Sequence, residues 1–458
     1  MMISFGRVFT FIIAVSSIMA CRGMAQDYSI VYNFGFNGTE PLAGLLLSGD
    51  TLYGTAPFGD PGGNGSVFRI NTDGTAFTNL YGFSASSDET QTGTNSDGAV
   101  PVAGLILSGN TLYGTTEYGG ASASGAVFSI NTDGSGFRTV RNFNGRDGNQ
   151  PKSALVLSGN TLYGTTYIGG ARGYGTVFAV NTDGTGFTNL YSFDGNSGDG
   201  GSPIGGLILS GKVLYGTTSG DSSYATVFCI HTDGTSFKNL HTFNGNTDGL
   251  EPYGGLVLSG YTLYGTTAEG GVWGDGTVFA ININGTGFTN LYSFNPANNG
   301  GVTPFAGLVL SGHTLYGTTK NSGNNVKGTV FAINTDGTGF KNLHTFAGYP
   351  DDGSTPEAGL VFSNNILYGT AYFGGSMDCG VIFRISLPVP PPLTMDRSDR
   401  NIVLTWPTNN GEFVLQSCTN LSSGAGWNTV SLVPSLVSGQ NAVTNAISGT
   451  QMFYRLSP

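Results

Sequence analysis

Between residues 155 and 193 the chain reads Leu155-Val156-Leu157-Ser158-Gly159-Asn160-Thr161-Leu162-Tyr163-Gly164-Thr165-Thr166, then, past a loop, Gly175-Thr176-Val177-Phe178-Ala179-Val180-Asn181-Thr182-Asp183-Gly184, and finally Gly186-Phe187-Thr188-Asn189-Leu190-Tyr191-Ser192-Phe193. Each of the four runs is short, rich in Val, Thr, Tyr, Phe and Leu, and bounded by Gly, Asn, Asp or Ser, which is strand-and-turn chemistry. We letter the runs a, b, c and d. The tetrad at the heart of run b, Leu-Tyr-Gly-Thr, occurs seven times, with its tyrosine at Tyr53, Tyr113, Tyr163, Tyr215, Tyr264, Tyr316 and Tyr368. Their spacings of 60, 50, 52, 49, 52 and 52 residues define the repeat.

Four strands in each period of about 50 residues match one blade of a β-propeller, so the sequence predicts an all-β, seven-bladed β-propeller. Its two ends carry the argument. The seventh copy contains a (359–363), b (366–370) and c (381–385) but no d, whereas the chain supplies Tyr28-Ser29-Ile30-Val31-Tyr32-Asn33-Phe34 near its beginning. That segment aligns with Phe187-Thr188-Asn189-Leu190-Tyr191-Ser192-Phe193 and is expected to complete the last blade, leaving no raw sheet edge between first and last. At the c–d junctions, Asp73, Asp133, Asp183, Asp233 and Asp336 precede Gly, with Asn284 in the fifth copy, as hairpin turns requiring positive φ prefer.

Through its recurring Asp-Gly-x-x-Pro-x-x-Gly-Leu, Leu-Tyr-Gly-Thr-Thr and Gly-Thr-Val-Phe elements, the chain resembles the GloVer tandem-repeat family of exported bacterial proteins over about residues 27–387. That family has no established activity, so the resemblance implies a repeat architecture and lends no catalytic residue. Two copies depart from the pattern: the first has an extended loop at 84–98, and the fourth carries Ser219-Gly220-Asp221-Ser222-Ser223 where others have Gly-Gly.

The flanks read differently. Arg7 followed by an apolar run at 8–20 and small residues has the form of an export signal over residues 1–25, too short to span a bilayer comfortably. Cleavage after Ala25 implies secretion; Ile18-Met19-Ala20-Cys21 loosely resembles a lipobox with a lipid anchor at Cys21, although Met19 fits it poorly. Secretion or the outer cell surface is therefore the expected location. Residues 388–392, Pro-Val-Pro-Pro-Pro, form a stiff linker after the propeller domain 26–387. Residues 393–458 lose the repeat and show alternating stretches such as 401–406 and 452–456, expected to form a small β-sandwich. Leu404-Thr405-Trp406 gives this module a distant similarity to fibronectin type III.

Composition narrows the function. Without residues 1–25 the 17 basic side chains lose Arg7 and Arg22, leaving 15 against 28 acidic ones and a formal charge near −13. Nucleic acid, whose binding begins with phosphate neutralisation, is an unlikely class of partner. The cysteines beyond the leader, Cys229, Cys379 and Cys418, have no disulfide or zinc spacing.

Candidate site residues lie where copies differ. In an up-and-down blade the b–c and d-to-a loops emerge on one face, and these loops vary in length, whereas the hairpins of the other face are short and nearly constant. Variable loops on a repeated scaffold are where binding lives. Aromatic candidates there are Phe58, Tyr118, Tyr167, Tyr224, Trp273, Tyr372 and Phe373, suited to stacking on sugars or gripping a protein loop, or alternatively to packing between blades. Four residues before the conserved-position proline stand Asp97, Asp147, Asp199, Asp248 and Asp352, with Asn37 and Gly300 in the other copies. Either these acids ring the channel mouth and hold Ca²⁺, or they are ordinary turn formers ahead of Pro. No catalytic motif emerges. The four histidines, His231, His241, His313 and His344, each replace another residue of the repeat, and a glycosidase pair would need unique acids such as Glu117, Glu251, Glu269 or Glu357 aimed inward. The sequence thus points to a binding or scaffold propeller for glycan or protein, with a carbohydrate-active hydrolase or lyase, or a purely structural envelope protein, as alternatives.

Overall fold

The computed structural model describes residues 27–35, 40–59, 63–88, 91–196, 198–220, 224–298, 300–321, 327–388, 391–398, 401–408, 413–418, 428–446 and 452–457. The expected leader with Cys21, Asn37 and the middle of the Pro-rich linker lie outside them. Contacts divide the chain into residues 27–387 and a second unit that holds residues 388–458.

The larger unit is built from four-stranded antiparallel sheets, seven of them among the described residues. Sheet three is representative: a, Val156–Ser158; b, Thr161–Thr166; c, Thr176–Asn181; d, Thr188–Ser192. Strands b and c pair over six residues, and the c–d ladder slips between Val177 and Phe178, so that Leu190 bulges out of register. Sheet seven is assembled from both ends of the unit in the order Val361–Ser363, Ile366–Ala371, Val381–Ser386 and Asp27–Asn33. The first strand occupies position d there, and it reproduces the bulge too, slipping between Ile30 and Tyr32. A β-bulge bends a strand and increases its twist, so the same extra residue at Leu190 and Val31 gives every outer strand one shape.

At the c–d hairpin the outcome differs in detail from the expectation. Positive φ falls on Gly184 and Gly186, not on Asp183. The Asp183 carboxylate instead accepts the Thr185 amide at 2.9 Å and its hydroxyl at 2.7 Å, which holds its pKa below the ordinary carboxylate value. These junction acids are turn formers.

Sheets pack face to face in a cyclic order. Tyr53, Val67 and Phe83 of sheet one share a core with Leu105, Leu112 and Phe128 of sheet two. The pattern continues around until Tyr368 and Ile382 of sheet seven, with Phe34, pack on Leu45, Leu52 and Phe68 of sheet one. At each interface the phenylalanine after strand d meets the strand-c phenylalanine of the next sheet edge-to-face: Phe83 and Phe128 at 5.3 Å, Phe193 and Phe228 at 5.3 Å, Phe34 and Phe68 at 5.4 Å. Burying one such ring contributes about 1.5–3 kcal/mol, with about 0.5–1.5 kcal/mol more from the paired geometry.

The tetrad is explained by what surrounds it. The Phe178 ring crosses directly over Gly164, and a Cβ added there would lie 2.6 Å from that ring and 2.8 Å from Leu155. The following threonine ties neighbouring sheets: Thr55 Oγ1 donates to the Ala103 carbonyl at 3.2 Å, Thr266 to that of Ala306 at 2.8 Å, and Thr370 to that of Ala43 at 3.3 Å, the last bond joining sheet seven to sheet one. Inside this belt runs a ring of small residues on the approach to strand a. Gly104 lies against Gly44 and Ala154, Gly206 against Ala154, Gly255 against Gly206, Gly307 against Gly255, Gly359 against Gly307, and Gly44 against Gly359.

The second unit holds a four-stranded sheet (Thr394–Ser398, Asn401–Pro407, Gln440–Ala446, Ser435–Val437) and a three-stranded one (Asn428–Thr429, Val414–Cys418, Phe453–Ser457). Leu404, Trp406 and Val443 of the first pack with Leu415 and Leu456 of the second. Among the described residues no helix is long and apolar enough to cross a membrane.

Candidate functional site

The d-to-a and b–c loops of each sheet are laced together. Ala99 and Tyr118 form an antiparallel bridge, as do Asn149 with Ile168, Leu250 with Glu269, and Val302 with Asn321. The residue before each loop proline adopts a left-handed conformation, including Glu251 at φ 57° and the β-branched Val100 at 58° and Thr303 at 59°, for which it is especially unusual. Its backbone is nevertheless satisfied on both sides: Val100 N–H donates to Asn64 and its carbonyl accepts Glu117 N–H. Seven copies of one strained residue locate the strain in the fold rather than in one site.

The five aspartates do not ring the channel mouth. Each turns outward onto strand d of its own sheet, where Asp97 accepts the Tyr81 hydroxyl at 2.7 Å and the Ser84 amide at 3.0 Å. Asp199 accepts Tyr191 and the Asp194 amide, both at 3.0 Å; Asp147 accepts the Asn144 amide at 2.8 Å and the Arg141 guanidinium. Asp248 and Asp352 take the same place beside His241 and His344, each at 3.0 Å from Nε2. The physical reason is satisfaction: a carboxylate as buried as Asp97 or Asp352 needs donors, and the outer strand supplies them. Among the described residues no three His, Cys, Asp or Glu side chains come together as metal ligands, and the bonds of the five aspartates to strand d fit the alternative expectation, that of turn formers ahead of Pro.

The groups that hold these acids also lock the sheets together. Tyr81 stacks on Phe137 of the next sheet at 3.7 Å, Tyr191 on Phe237 at 3.9 Å, His241 on Phe288 at 3.8 Å and Tyr292 on Phe340 at 3.9 Å, while the Arg141 guanidinium lies 3.9 Å over Phe187. His344 on Tyr28 at 3.8 Å and Tyr32 on Phe77 at 4.2 Å bring the N-terminal strand into the same belt. His241 and His344, which sequence comparison of copies treats as mere replacements, are thus members of an aromatic clamp. Asp248→Ala leaves His241 and the Asn244 amide without their acceptor and is expected to cost about 1–3 kcal/mol, with the same melting temperature in calcium as in chelator; a calcium-dependent difference in the unaltered protein would restore the metal hypothesis.

Burial holds the His241 imidazole below its ordinary pKa, against the opposing pull of Asp248. As pH falls below about 6.5 the unfolded chain takes up a proton that the folded imidazole resists, so this contribution to stability is present above that pH and is lost as pH falls toward the depressed folded value. His241→Tyr, the arrangement already present at Tyr191, is expected to flatten the melting temperature between pH 7 and 5. An unaltered profile in that variant would assign the dependence elsewhere.

The aromatic candidates fall into two groups. Trp273 and Tyr224 stand 60% and 49% exposed on b–c loops, and Phe373 is exposed beside Tyr372. Phe58, Tyr118, Tyr167 and Tyr372 are half-buried. Burial and the neighbouring Glu117 push the Tyr118 phenol up to about 12. The inner tyrosines belong to a feature that the candidate residues touch only in part. Two residues before each member of the glycine ring stand Leu42, Val102, Lys152, Ile204, Tyr253, Phe305 and Glu357, all half-buried. Lys152 pairs with Glu117 of the preceding sheet at 3.0 Å and lies 4.4 Å over Tyr167; Lys320 pairs with Glu357 at 3.0 Å and lies 5.4 Å over Phe305. Phe305 and Tyr253 touch at 4.7 Å, and the Tyr372 hydroxyl donates to Glu40 at 2.5 Å.

The sequence model of the Gloeobacter/Verrucomicrobia repeat matches residues 86–272 and 219–411. The chain belongs to that repeat family. No curated protein matches it in sequence. Among solved structures, an oligogalacturonate lyase from Vibrio parahaemolyticus is similar at 10% identity and a TM-score of 0.52, covering 80% of this chain and 96% of that one. An oligogalacturonate lyase in complex with manganese (12% identity, TM-score 0.48, 74% and 86% covered) and a putative 6-phosphogluconolactonase from Bacteroides uniformis (16%, 0.45, 88% and 98%) are more distant in shape. At such identities the likeness with the Vibrio protein concerns fold alone, a propeller-like set of antiparallel sheets.

Family membership brings no catalytic residues, and the unique acids have separate surroundings. Glu117 and Glu357 each carry a lysine partner, Glu269 is exposed on a loop, and Glu251 occupies the left-handed position before Pro252.

Proposed function

We propose that residues 26–387 of this repeat-family protein form a closed seven-bladed β-propeller acting as an extracellular binding scaffold, which recognises glycan or protein through the face of b–c and d-to-a loops. Residues 1–25 act as a removable export signal, and residues 393–458, joined by the 388–392 linker, serve as a small sandwich module for spacing or attachment. One observation supports the binding role above the others. Positions demanded by the fold are nearly identical in every copy, such as the tetrad glycine, its threonine and the strand-c phenylalanine, whereas variation concentrates on the one face. Cyclic packing of the sheets and the first strand's place in sheet seven support the closed ring.

A glycan array probed with the mature protein tests the reading: saturable binding, reduced by substitutions on the loop face and unaffected by changes in the c–d hairpins, is expected. Binding that depends on the hairpin face, or product formation from bound glycan, would overturn it. Secretion is tested separately by comparing the N-terminus of exported protein with residue 26.

A further inference from the structure

We infer that the binding site of this propeller is the mouth of its central ring, over sheets five to seven and one, and that it takes a neutral pyranose of a glycan chain. This inference rests on the proposed binding role and deepens it. Its starting point is a contrast within the segment leading into strand a. Gly44, Gly104, Ala154, Gly206, Gly255, Gly307 and Gly359 are uniformly small because neighbouring backbones meet there. Two residues earlier, each copy carries a different side chain. A requirement of the fold repeats with the fold, as the outer clamp does; a requirement of a ligand does not.

The side chains placed there form a continuous arc. Tyr253 and Phe305 present two apolar rings in contact, tilted by 38°. Lys320 stands beside Phe305 and beside Glu357, whose side chain is only 14% exposed. Glu40, reaching over from the N-terminal segment, accepts the Tyr372 hydroxyl. Burial, then Glu40, then the charge of Glu357 push the Tyr372 phenol upward, so it stays a neutral donor at ordinary pH. An aromatic surface flanked by an ammonium donor and carboxylate acceptors 3.0 Å apart matches a pyranose: its C–H face lies on a ring, and adjacent hydroxyls meet one donor and one acceptor. Charge excludes the acidic sugars. Lys152 and Lys320 are each paired with a glutamate, and Glu40 adds a further negative charge, so a uronate carboxylate would meet repulsion there.

Calorimetric titration of the mature protein with neutral cello-, xylo- and manno-oligosaccharides and with oligogalacturonates tests this. Saturable binding of a neutral series is expected, weakened about tenfold or more by Phe305→Ala and by Glu357→Gln, the loss of about one stacking or charged hydrogen-bond contact. Tyr261→Ala, exposed on an a–b hairpin of the opposite face, is expected to leave it unchanged. Glu357→Gln is nearly isosteric, so a cooperative melt in that variant keeps the test valid if Phe305→Ala fails to fold. Neutral binding that is lost in Trp273→Ala and kept in both mouth variants overturns the mouth site while preserving the binding role. Tighter binding of oligogalacturonate overturns the neutral-sugar assignment, and binding of a protein but of no glycan overturns the ligand class. Silence toward every partner overturns the binding role itself.

Discussion

Removing residues 27–34 is expected to leave the repeat region unable to fold cooperatively, although the deleted strand is one of 28 in its seven four-stranded sheets among the described residues. That strand contributes six ladder positions to Val381–Ser386. It also supplies Phe34, 2% exposed, to the core between sheets seven and one, and sets Tyr28 against His344, Phe346 and Phe383 on the other side. Its loss opens two interfaces and bares a strand edge, the feature that promotes edge-to-edge association. The conservative form of the experiment is Phe34→Ala, expected to cost about 3–5 kcal/mol, a large part of the 5–15 kcal/mol typical of a domain. Urea unfolding of that variant measures it, and a midpoint equal to that of the unaltered protein would falsify the role given to the N-terminal strand.

Gly164→Ala is the second substitution with a large expected effect. Gly164 lies inside strand b without positive φ, so the cost is one of space: the new Cβ falls 2.6 Å from the Phe178 ring. Overpacking of this kind costs about 1–3 kcal/mol, with larger side chains costing more. Gly98 offers no comparison, being strained by conformation as well, but Gly159, whose added Cβ meets nothing within 4 Å, separates backbone strain from crowding. Crowding predicts that Phe178→Leu, itself destabilising, partly relieves Gly164→Ala. Additive losses in that double-mutant cycle would argue against it.

Much of the fold was legible because the repeat states it seven times. The missing strand d of the last copy and the opening Tyr28 to Phe34 alignment led directly to sheet seven, down to the bulge at Val31 that matches Leu190. The site was less legible. Asp97 and its counterparts sit four residues before a proline, a spacing that fixes their loop but not the direction of their carboxylates. Direction depends on Tyr81, Arg141, Tyr191, His241 and His344, partners 6 to 16 residues upstream and of differing chemistry, whose shared position in strand d was visible and whose shared task was not. Lys152, Tyr253 and Phe305 drew no attention because the approach to strand a reads as constant, and Lys320, in a b–c loop, because attention there went to the aromatics. The available signal was the single position of that approach that changes in every copy.

The zipping of the first strand onto sheet seven has a mechanical consequence. Val381–Ser386, the last strand of the ring before residue 388, is not an edge: it is hydrogen-bonded to Ile366–Ala371 on one side and to Asp27–Asn33 on the other. Tension transmitted along the polypeptide from residue 388 would therefore shear two ladders at once instead of peeling one open, a resistance that no terminal edge strand provides.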